Sequence, residues 1–370
     1  MNILVTGANG FIGKNLINRL NFMDGMTVFS YDIGSTADEL NEYAKKADIV
    51  YHLAGINRPE KEEEFMEGNR DFVKTVLDAL EASDNAKATV VVSSSIQAEL
   101  DNPYGRSKKA GEELVRQFSK EHGGRAVIYR FPNVFGKWCR PNYNSVVATF
   151  CNNIARSLPI KINDPETILN LVYIDDVVDE LISCMDKSEH VKDGYGYVPT
   201  VYTKRLGDIA DLIHSFAKTR QDLSLPDFSD GFEKKLYSTY LSYLREDDFS
   251  YPLVMHEDHR GSFTEFLKTK DRGQVSVNIS HPGIVKGNHW HNTKNEKFLV
   301  VKGEGLIRLR KVGTDTVTEY RVSGEKLEVV DIPCGYTHSI QNVGNDDMAT
   351  IMWVNEIFDP DHGDTFHEEV

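Results

Sequence analysis

The chain has 370 residues and a formal net charge of −15, from 42 Lys and Arg against 57 Asp and Glu. Its length suggests two or three domains, and its acidity argues against nucleic acid or an anionic membrane as a partner. No apolar run is long enough to span a membrane, no secretory signal precedes the first strand, and the four cysteines show no paired spacing, so we expect a cytoplasmic protein with reduced thiols.

The first thirteen residues predict a strand, a glycine turn and a helix. An apolar run over residues 3–5 is followed by Gly7, Gly10 and Gly13, and apolar residues then continue at helical spacing. In a dinucleotide site these glycines let the chain turn, let the backbone approach a pyrophosphate and let the helix pack closely on the strand. Such a loop also occurs as an ordinary tight connection between strand and helix.

The next segments alternate between strand and helix. A second strand over residues 27–31 ends at Asp32, where an acid would hold a ribose 2′-hydroxyl and favour NAD over NADP. The alternative is an ordinary turn aspartate. Strands over residues 49–54 and 89–92 flank a helical pattern over residues 62–82. This alternation predicts a parallel sheet covered by helices on both faces.

A helix predicted from Asn102 to about His122 carries Tyr104 and Lys108, four residues apart and therefore on one face. Such a lysine can lower the tyrosine pKa and hold a nicotinamide ribose, while the tyrosine gives a proton to a carbonyl oxygen as hydride arrives at the carbon. A hydroxyl from the serines at 93–95, which follow a strand, could hold the same carbonyl. Taken alone, the Tyr–Lys pair is also a common surface pattern.

Together these motifs, with residues 130–136 and 170–177, resemble the extended short-chain dehydrogenase/reductases over roughly residues 1–240. The resemblance implies Tyr104 as proton donor, Lys108 as its partner, Ser95 or Ser94 as the carbonyl clamp and Asn133 near the substrate. The family commonly acts on nucleotide-linked sugars. The cofactor contacts that it implies are Gly7, Gly10, Phe11, Ile12, Gly13, Asp32, Asp48, Leu53, Ala54, Tyr104 and Lys108. The short loop between Ser95 and Tyr104 leaves the choice among the serines open.

Charge and proline over residues 245–252 interrupt a helical pattern at 232–244 and predict a domain boundary. We therefore expect an NAD(P)-binding α/β Rossmann-like domain over residues 1–245 and a second domain over residues 252–370. In the second domain short strands, such as 274–279, 297–302 and 348–354, are separated by Gly, Asn or Asp turns. That spacing predicts an all-β sandwich or barrel.

Three histidines and a glutamate in the second domain predict a metal site. His289 and His291 project from one face of a strand, Glu296 starts the next strand, and His338 enters a later one. This ligand set suits Zn²⁺ or another first-row divalent metal, although a lone His-x-His is usually structural.

The spacing of these residues resembles the two motifs of the cupin family, over roughly residues 252–370. The matching positions are Gly283, His289, His291, Glu296 and Gly303, then Pro333, Gly335, His338 and Asn342, with Leu327 where a glycine is usual. The resemblance implies a small β-barrel with the metal inside, and dimerisation through exchanged edge strands.

Residues 258–265 and 285–289 resemble the nucleotide-sugar 4-keto 3,5-epimerases, which are also cupin barrels. By this resemblance Arg260 and Lys286 match positions that serve nucleotide phosphates or an enolate, and His289 matches the base. However, His289 is also the first metal ligand of the cupin pattern, and a ligated imidazole is not free to act as a base. The base therefore stays open among a metal-bound water, His259, Lys286 and Tyr336.

A reductase fused to an epimerase-like cupin resembles bifunctional enzymes of bacterial capsular polysaccharide synthesis. The resemblance implies the substrate UDP-2-acetamido-2,6-dideoxy-β-L-arabino-hexos-4-ulose, which the cupin would epimerise at C3. The first domain would then reduce C4 with NADPH to UDP-2-acetamido-2,6-dideoxy-L-talose. NADPH is taken from the resemblance against the hint from Asp32, and Ser30 or Ser35 would then accept the 2′-phosphate. Two alternatives are a one-step reductase whose cupin only dimerises around a structural metal, and a nucleotide-sugar-binding regulatory protein.

Overall fold

Two compact units make up the chain in the computed structural model, which describes residues 1–359 and 363–370. The first unit comprises residues 1–214 and 229–245, and the second comprises residues 215–228 and 246–370. The segment 215–228 thus groups with the later part of the chain, although it precedes residues of the first unit in sequence. None of the helices in the described ranges is long and apolar enough to cross a membrane.

The first unit alternates strands and helices. Its strands are β1 (Asn2–Thr6), β2 (Thr27–Tyr31), β3 (Ile49–His52), β4 (Thr89–Ser95), β5 (Ala126–Phe131), β6 (Asn133–Phe135), β7 (Ile168–Tyr173), β8 (Val191–Lys192), β9 (Tyr195–Gly196) and β10 (Tyr202–Arg205). Its helices are α1 (Phe11–Leu20), α2 (Ala37–Lys46), α3 (Glu64–Met66), α4 (Phe72–Ala82), α5 (Pro103–His122), α6 (Val146–Ile154), α7 (Ile174–Ser183) and α9 (Gly231–Leu241), and α8 (Leu206–Asp222) runs from the first unit into the second.

The main sheet of this unit has the order β2-β1-β3-β4-β5-β9-β8, and the strands from β2 to β5 are parallel. Successive side chains of a strand point to opposite faces, so Ile3 packs with α1 and α7 while Leu4 packs with α2, α4 and α5. Both faces are therefore buried. The parallel register also aligns Thr6 with His52 and brings Ser95 beside Phe131, so the carboxyl ends of β1, β3 and β4 lie at one edge.

The second unit is antiparallel throughout its paired strands. They are β11 (His256–Asp258), β12 (Gly261–Thr269), β13 (Gly273–Ser280), β14 (Val285–Trp290), β15 (Glu296–Lys302), β16 (Glu304–Lys311), β17 (Val317–Ser323), β18 (Val329–Ile332), β19 (Tyr336–Asn342), β20 (Met348–Val354) and β21 (Phe366–His367). One sheet has the order β11-β12-β13-β20-β15-β18 and the other β17-β16-β19-β14-β21. Buried residues from both sheets, including Phe298, Ile307 and Ile340, form the core between them.

These observations confirm the predicted fold class, a Rossmann-like α/β unit followed by an all-β cupin barrel. Several element bounds differ from the predicted ones. The helix expected over residues 62–82 is interrupted by a π-helical turn, Glu67–Asp71. The strand expected over residues 89–92 continues to Ser95, and the helix expected over residues 232–244 ends at Leu241. The π-helical turn contains the buried residue Asn69.

Candidate active sites

A cavity of about 610 Å³ opens at the edge of the first unit where the parallel strands end. Its lining brings together residues from five parts of the chain, namely Gly7, Gly10, Phe11, Ile12, Gly13, Leu53, Ser93, Ser94, Ser95, Tyr104, Lys108 and Asn133. Ligands of parallel α/β sheets bind outside the carboxyl ends of the strands. The cavity therefore lies where a dinucleotide site is expected.

The glycine turn at one side of this cavity depends on the absence of side chains. Gly7 has φ +69°, and a Cβ there would lie 2.6 Å from the backbone nitrogen of Ala54. A Cβ on Gly13 would lie 2.2 Å from the carbonyl oxygen of Gly7. The close packing holds the start of α1 against the end of β1, so the free N–H groups of the helix face the cavity. Ala54 thus supports the turn with its backbone.

The two aspartates predicted to bind cofactor have different positions. The Asp32 carboxylate accepts hydrogen bonds from the backbone N–H of Asn9, at 2.6 Å, and of Ile33, at 2.7 Å. It lies at an open recess beside the glycine turn. Asp48 instead accepts a hydrogen bond from the backbone N–H of Asn2 at 2.7 Å. Asn2 starts β1, whereas the glycine turn follows its end, so the prediction that Asp48 binds the cofactor is wrong.

Tyr104 and Lys108 lie on the first turns of α5. Asn102 caps this helix by accepting a hydrogen bond from the Gly105 N–H at 2.8 Å, and Pro103 occupies its first turn. The Lys108 ammonium donates to the Ser93 carbonyl at 3.3 Å and lies 5.9 Å from the centre of the Tyr104 ring.

Burial dominates the ionisation of both groups. It lowers the pKa of Lys108 to about 8, and it raises the pKa of Tyr104 despite a hydrogen bond with Ser95 that acts in the opposite direction. The expected lowering of the tyrosine pKa by the lysine is therefore not found. A phenol that keeps its proton at neutral pH is suited to donate it.

The structure also distinguishes the candidate serines. Ser95 shares a hydrogen bond with the Tyr104 phenol. Ser94, although it lines the cavity, donates its hydroxyl to the buried carboxylate of Glu112 at 2.5 Å. Ser95 is thus the serine beside the phenol, whereas the hydroxyl of Ser94 is hydrogen-bonded to Glu112.

Asn69, which no sequence pattern indicated, lies beside this site. Its side-chain oxygen accepts from the Ile56 N–H at 3.0 Å, and its side-chain nitrogen donates to the Ile56 carbonyl at 2.7 Å. A Cβ on Gly55 would lie 2.7 Å both from the Asn69 side-chain oxygen and from the Lys108 ammonium. These two side chains therefore share the space left by Gly55. In the sequence Asn69 falls inside a helical pattern and gives no signal of this position.

The second unit holds a compact cluster of potential metal ligands. The ligand atoms of its four members all lie within 4.8 Å of one another: His289, His291, Glu296 and His338. We call this set the His–Glu cluster. His289 lies on β14 and His338 on the adjacent β19 of one sheet, His291 directly follows β14, and Glu296 starts β15 of the other sheet, so the two sheets bring the four residues together. The sequence predicted these four residues, and the structure places them side by side.

Three buried atoms of this cluster have no hydrogen-bond partner within the described residues: Nε2 of His291, Nε2 of His338 and Oε2 of Glu296. The His338 Nε2 and Glu296 Oε2 are 3.0 Å apart. The Nδ1 of His291 is held by the Asp364 carbonyl, which directs Nε2 into the cluster. Unpartnered buried nitrogens and a carboxylate oxygen that converge on one point fit a divalent cation, and the donor set suits Zn²⁺.

Neighbouring charges and burial shift His289 and Glu296 toward the forms that bind a metal. Desolvation lowers the pKa of His289 to about 4, and the nearby His338 and His291 rings act in the same direction. Desolvation opposes ionisation of Glu296, but the nearby His291 and His338 rings outweigh it and bring the carboxyl pKa to about 2. A neutral imidazole and an ionised carboxylate are the forms that bind a metal.

Two cavities, of about 480 and 650 Å³, share His289 and Glu296 in their linings. The larger one is also lined by Lys286 and Arg260. Lys286 donates to the Asn278 side-chain oxygen at 2.7 Å and to the Ile279 carbonyl at 2.8 Å, and burial lowers its pKa. Arg260 pairs with Asp258 at 2.6 Å on the rim.

The remaining predicted substrate contacts of this unit lie elsewhere. His259 is exposed, and neither cavity has it in its lining among the described residues. Tyr336 packs against the hydrophobic core of the barrel. The prediction that these two side chains line the substrate site is therefore not supported by their positions. His256, which lines both cavities, was missed because an exposed edge-strand histidine has no distinctive spacing.

Comparison with known proteins gives two family matches. The NAD dependent epimerase/dehydratase family matches residues 3–198, which is more than half of the chain. The polysaccharide biosynthesis C-terminal domain matches residues 256–366. The two matches fall on the parallel and the antiparallel unit, respectively.

Two relatives cover nearly the whole chain, and a third covers about two thirds of it. The chain is 44% identical over 366 residues to a UDP-2-acetamido-2,6-beta-L-arabino-hexul-4-ose reductase of Pseudomonas aeruginosa, with 99% of this chain and 98% of that protein covered. It is also similar to the crystal structure of the capsular polysaccharide assembling protein CapF from Staphylococcus aureus, with 55% identity, a TM-score of 0.95 and full coverage of both chains. A UDP-glucuronic acid 4-epimerase from Bacillus cereus matches 66% of this chain at 18% identity and a TM-score of 0.52, which shows a shared fold only.

Proposed function

The chain belongs to the NAD dependent epimerase/dehydratase family, and we propose that it is a bifunctional nucleotide-sugar enzyme of capsular polysaccharide synthesis. In this proposal the substrate is UDP-2-acetamido-2,6-dideoxy-β-L-arabino-hexos-4-ulose. The second unit epimerises C3, and the first unit reduces C4 with NADPH to UDP-2-acetamido-2,6-dideoxy-L-talose. The observation that carries the proposal is the presence, in one chain, of a Tyr–Lys–Ser site and a His–Glu cluster, because both suit a sugar ketone.

When bound in the first cavity, NADPH would supply the hydride for C4 of the sugar. Tyr104 gives its proton to the ketone oxygen, and Ser95 hydrogen-bonds the same oxygen. Lys108 holds the nicotinamide ribose and places a positive charge near the phenol. The burial that raises the pKa of Tyr104 keeps the proton in place until the ketone oxygen gains charge. Asn133, at the cavity wall, contacts the sugar.

In the epimerase step the C4 ketone acidifies the C3–H bond, so that a base can remove the proton and return it to the other face. A divalent ion held by the His–Glu cluster would supply Lewis-acid stabilisation of negative charge on the ketone oxygen. Lys286 and Arg260 lie in the same cavity and add positive charge for the enolate or for the nucleotide phosphates. Lys286, with its lowered pKa, is also the candidate base that the geometry favours over His259 and Tyr336.

NADPH is favoured over NADH by the recess beside the glycine turn. Both Asp32 oxygens already accept backbone hydrogen bonds, which reduces the capacity of the carboxylate to bind a ribose hydroxyl. The lining of the recess includes the cation Lys14 besides Ser30 and Ser35. A lysine and two hydroxyls suit the 2′-phosphate that distinguishes NADPH from NADH.

The proposal includes a cytoplasmic homodimer formed through the second unit. The strands β11 and β17 each end a sheet, so their outer backbone groups are available for pairing with a second chain. The four cysteines are free thiols, in keeping with a reducing compartment. Light scattering of the separated second unit would give a monomer mass if dimerisation took place elsewhere.

One incubation tests the two-step proposal. The purified enzyme is loaded with zinc and mixed with the 4-keto substrate and NADPH in deuterated water. We expect NADPH consumption together with deuterium at C3 of the product. NADPH consumption without deuterium would instead support a one-step reductase with a structural metal, and neither change would support a nucleotide-sugar-binding protein.

A further inference from the structure

The first unit contains a buried carboxylate that the proposed reaction does not use. Glu112 is 2% exposed and lies on α5, one helical turn after Lys108. Burying a charged group is costly unless the charge is paired and hydrogen-bonded, so the position calls for an explanation. The contacts of Glu112 extend from the helix to three strands of the sheet.

Arg130, on β5, forms an ion pair with this carboxylate from one side. Its Nε donates to one Glu112 oxygen at 2.9 Å and its Nη2 donates to the other at 2.6 Å. The arginine also pairs with Glu99 at 3.1 Å and lies over the ring of Tyr195, 4.0 Å from the ring centre. The Tyr195 hydroxyl donates to Glu112 at 3.2 Å.

The contact with a third residue, Ser94, joins this ion pair to the reductase site. Ser94 donates its hydroxyl to Glu112 at 2.5 Å. Successive side chains of a strand point to opposite faces, so an anchored Ser94 directs Ser93 and Ser95 to the other face. Ser95 meets Tyr104 there, and the Ser93 carbonyl receives the Lys108 ammonium. If the Glu112–Arg130 ion pair served stability alone, it would not require a contact with Ser94, the residue between Ser93 and Ser95.

We propose that Glu112 is a positioning residue of the reductase site, which orients the serines of β4 and acts on the Lys108 side chain one helical turn away. This inference rests on the proposed reduction by Tyr104 and Lys108. Glu112 does not touch the cavity that receives substrate and cofactor, so it acts through its neighbours. The chemistry itself stays with the phenol and the cofactor.

Few groups lie close enough to Lys108 to influence its pKa. Burial lowers the pKa of Lys108 to about 8, and the Glu112 carboxylate acts in the opposite direction. Around the ammonium lie the Tyr104 ring on α5, the Ser93 carbonyl on β4, the Asn69 side chain beside Gly55, and His52 on β3. Burial holds the pKa of His52 to about 3, so this ring stays neutral near pH 8 and Glu112 is the anion acting on Lys108.

Loss of the Glu112 charge should shift the alkaline limit of NADPH binding in one direction. The ammonium that holds the ribose is present below the pKa of Lys108 and is lost as pH rises through it. Replacing Glu112 by glutamine removes the group that raises this pKa, so the alkaline loss of NADPH affinity and of kcat/KM moves to lower pH. We expect a shift of about one pH unit.

The test compares Glu112→Gln with the wild type and with Glu113→Gln, an exposed neighbour on the same helix. NADPH affinity and kcat/KM are measured between pH 6 and about pH 10, with thermal unfolding as a check of the fold. The proposal requires the alkaline limb to shift in Glu112→Gln, to stay in place in Glu113→Gln, and to be restored by Glu112→Asp. A folded Glu112→Gln protein with an unshifted limb would show that the pair is only structural.

Ser94→Ala keeps the proposal testable if Glu112→Gln does not fold. This variant should lower kcat at least about fivefold while the KM for NADPH is unchanged, because it releases Ser95 and leaves Lys108 in place. Wild-type kcat in Ser94→Ala would overturn the inference. The pH dependence of NADPH binding distinguishes this inference from the proposed function. If NADPH binding shows the expected shift in Glu112→Gln but the wild type reduces no keto sugar, only the proposed function is refuted.

Discussion

Gly55 offers a direct test of the reductase geometry because its missing side chain leaves room for Lys108. A Cβ added there would lie 2.7 Å from the Lys108 ammonium and from the Asn69 side-chain oxygen, whereas ordinary contact begins near 3.4 Å. In Gly55→Ala the ammonium must therefore move by roughly 0.7 Å or more. The backbone of Gly55 is not in the left-handed region, so alanine itself fits there without strain.

A displacement of about 1 Å in a positioning group can reduce a rate about 100-fold. That factor corresponds to about 2.7 kcal/mol of transition-state stabilisation. We expect kcat/KM for NADPH-dependent reduction to fall by about this factor in Gly55→Ala. The atoms to be displaced are the ends of two side chains, so the melting temperature should change by no more than about 4 °C.

The assay follows NADPH absorbance with the 4-keto substrate, and deuterium incorporation at C3 serves as an internal control for the second unit. A matched variant is Gly231→Ala, where the nearest heavy atom to an added Cβ is the Tyr202 hydroxyl at an ordinary 3.4 Å. It should behave as the wild type. If a folded Gly55→Ala protein kept kcat/KM within about threefold of the wild type, the described placement of Lys108 would be refuted.

Three further predictions concern the phenol, the metal and the cofactor. Tyr104→Phe should lower the rate of reduction by about 10²–10⁴ and leave C3 exchange intact, and NADPH turnover above a tenth of the wild-type rate would contradict its role as proton donor. Chelation of the bound ion should abolish C3 exchange and lower the melting temperature of the second unit, and added zinc should restore both. If the metal-free protein exchanged C3 at the same rate, a role of the His–Glu cluster in the exchange would be contradicted. Lys14→Met should raise the KM for NADPH about tenfold and leave that for NADH unchanged, with Lys45→Met, on exposed α2, as the control; equal effects on both cofactors would exclude a 2′-phosphate contact.

The sequence was most informative where the chemistry depends on spacing within one element. Tyr104 and Lys108 share a helix face because four residues make about one turn, and the glycine spacing predicts a turn whose backbone is tightly packed. His289 and His291 are two residues apart at the end of β14, and their ring centres lie 5.0 Å apart. These relations are local, so they do not depend on how distant segments meet.

Asp48 shows the limit of that reasoning. It directly precedes β3 in the sequence and lies next to Asn2, the first residue of β1. The glycine turn follows the other end of β1. The direction and register of the strand decide which end of the sheet a flanking residue occupies. A resemblance between motifs that span a whole strand does not tell which residues of the motif lie at the cofactor end of that strand.

The sequence by itself determined the order of the two folds and the identity of the chemical groups, namely the phenol, the lysine, the three imidazoles and the carboxylate. Tertiary structure alone decided that Ser95 meets Tyr104 while Ser94 meets Glu112, and that Asn69 shares the space beside Gly55 with Lys108. The physical reason is that each of these choices depends on contacts between segments far apart in the chain. Such contacts are fixed by sheet register, a π-helical turn and burial, which side-chain spacing does not encode.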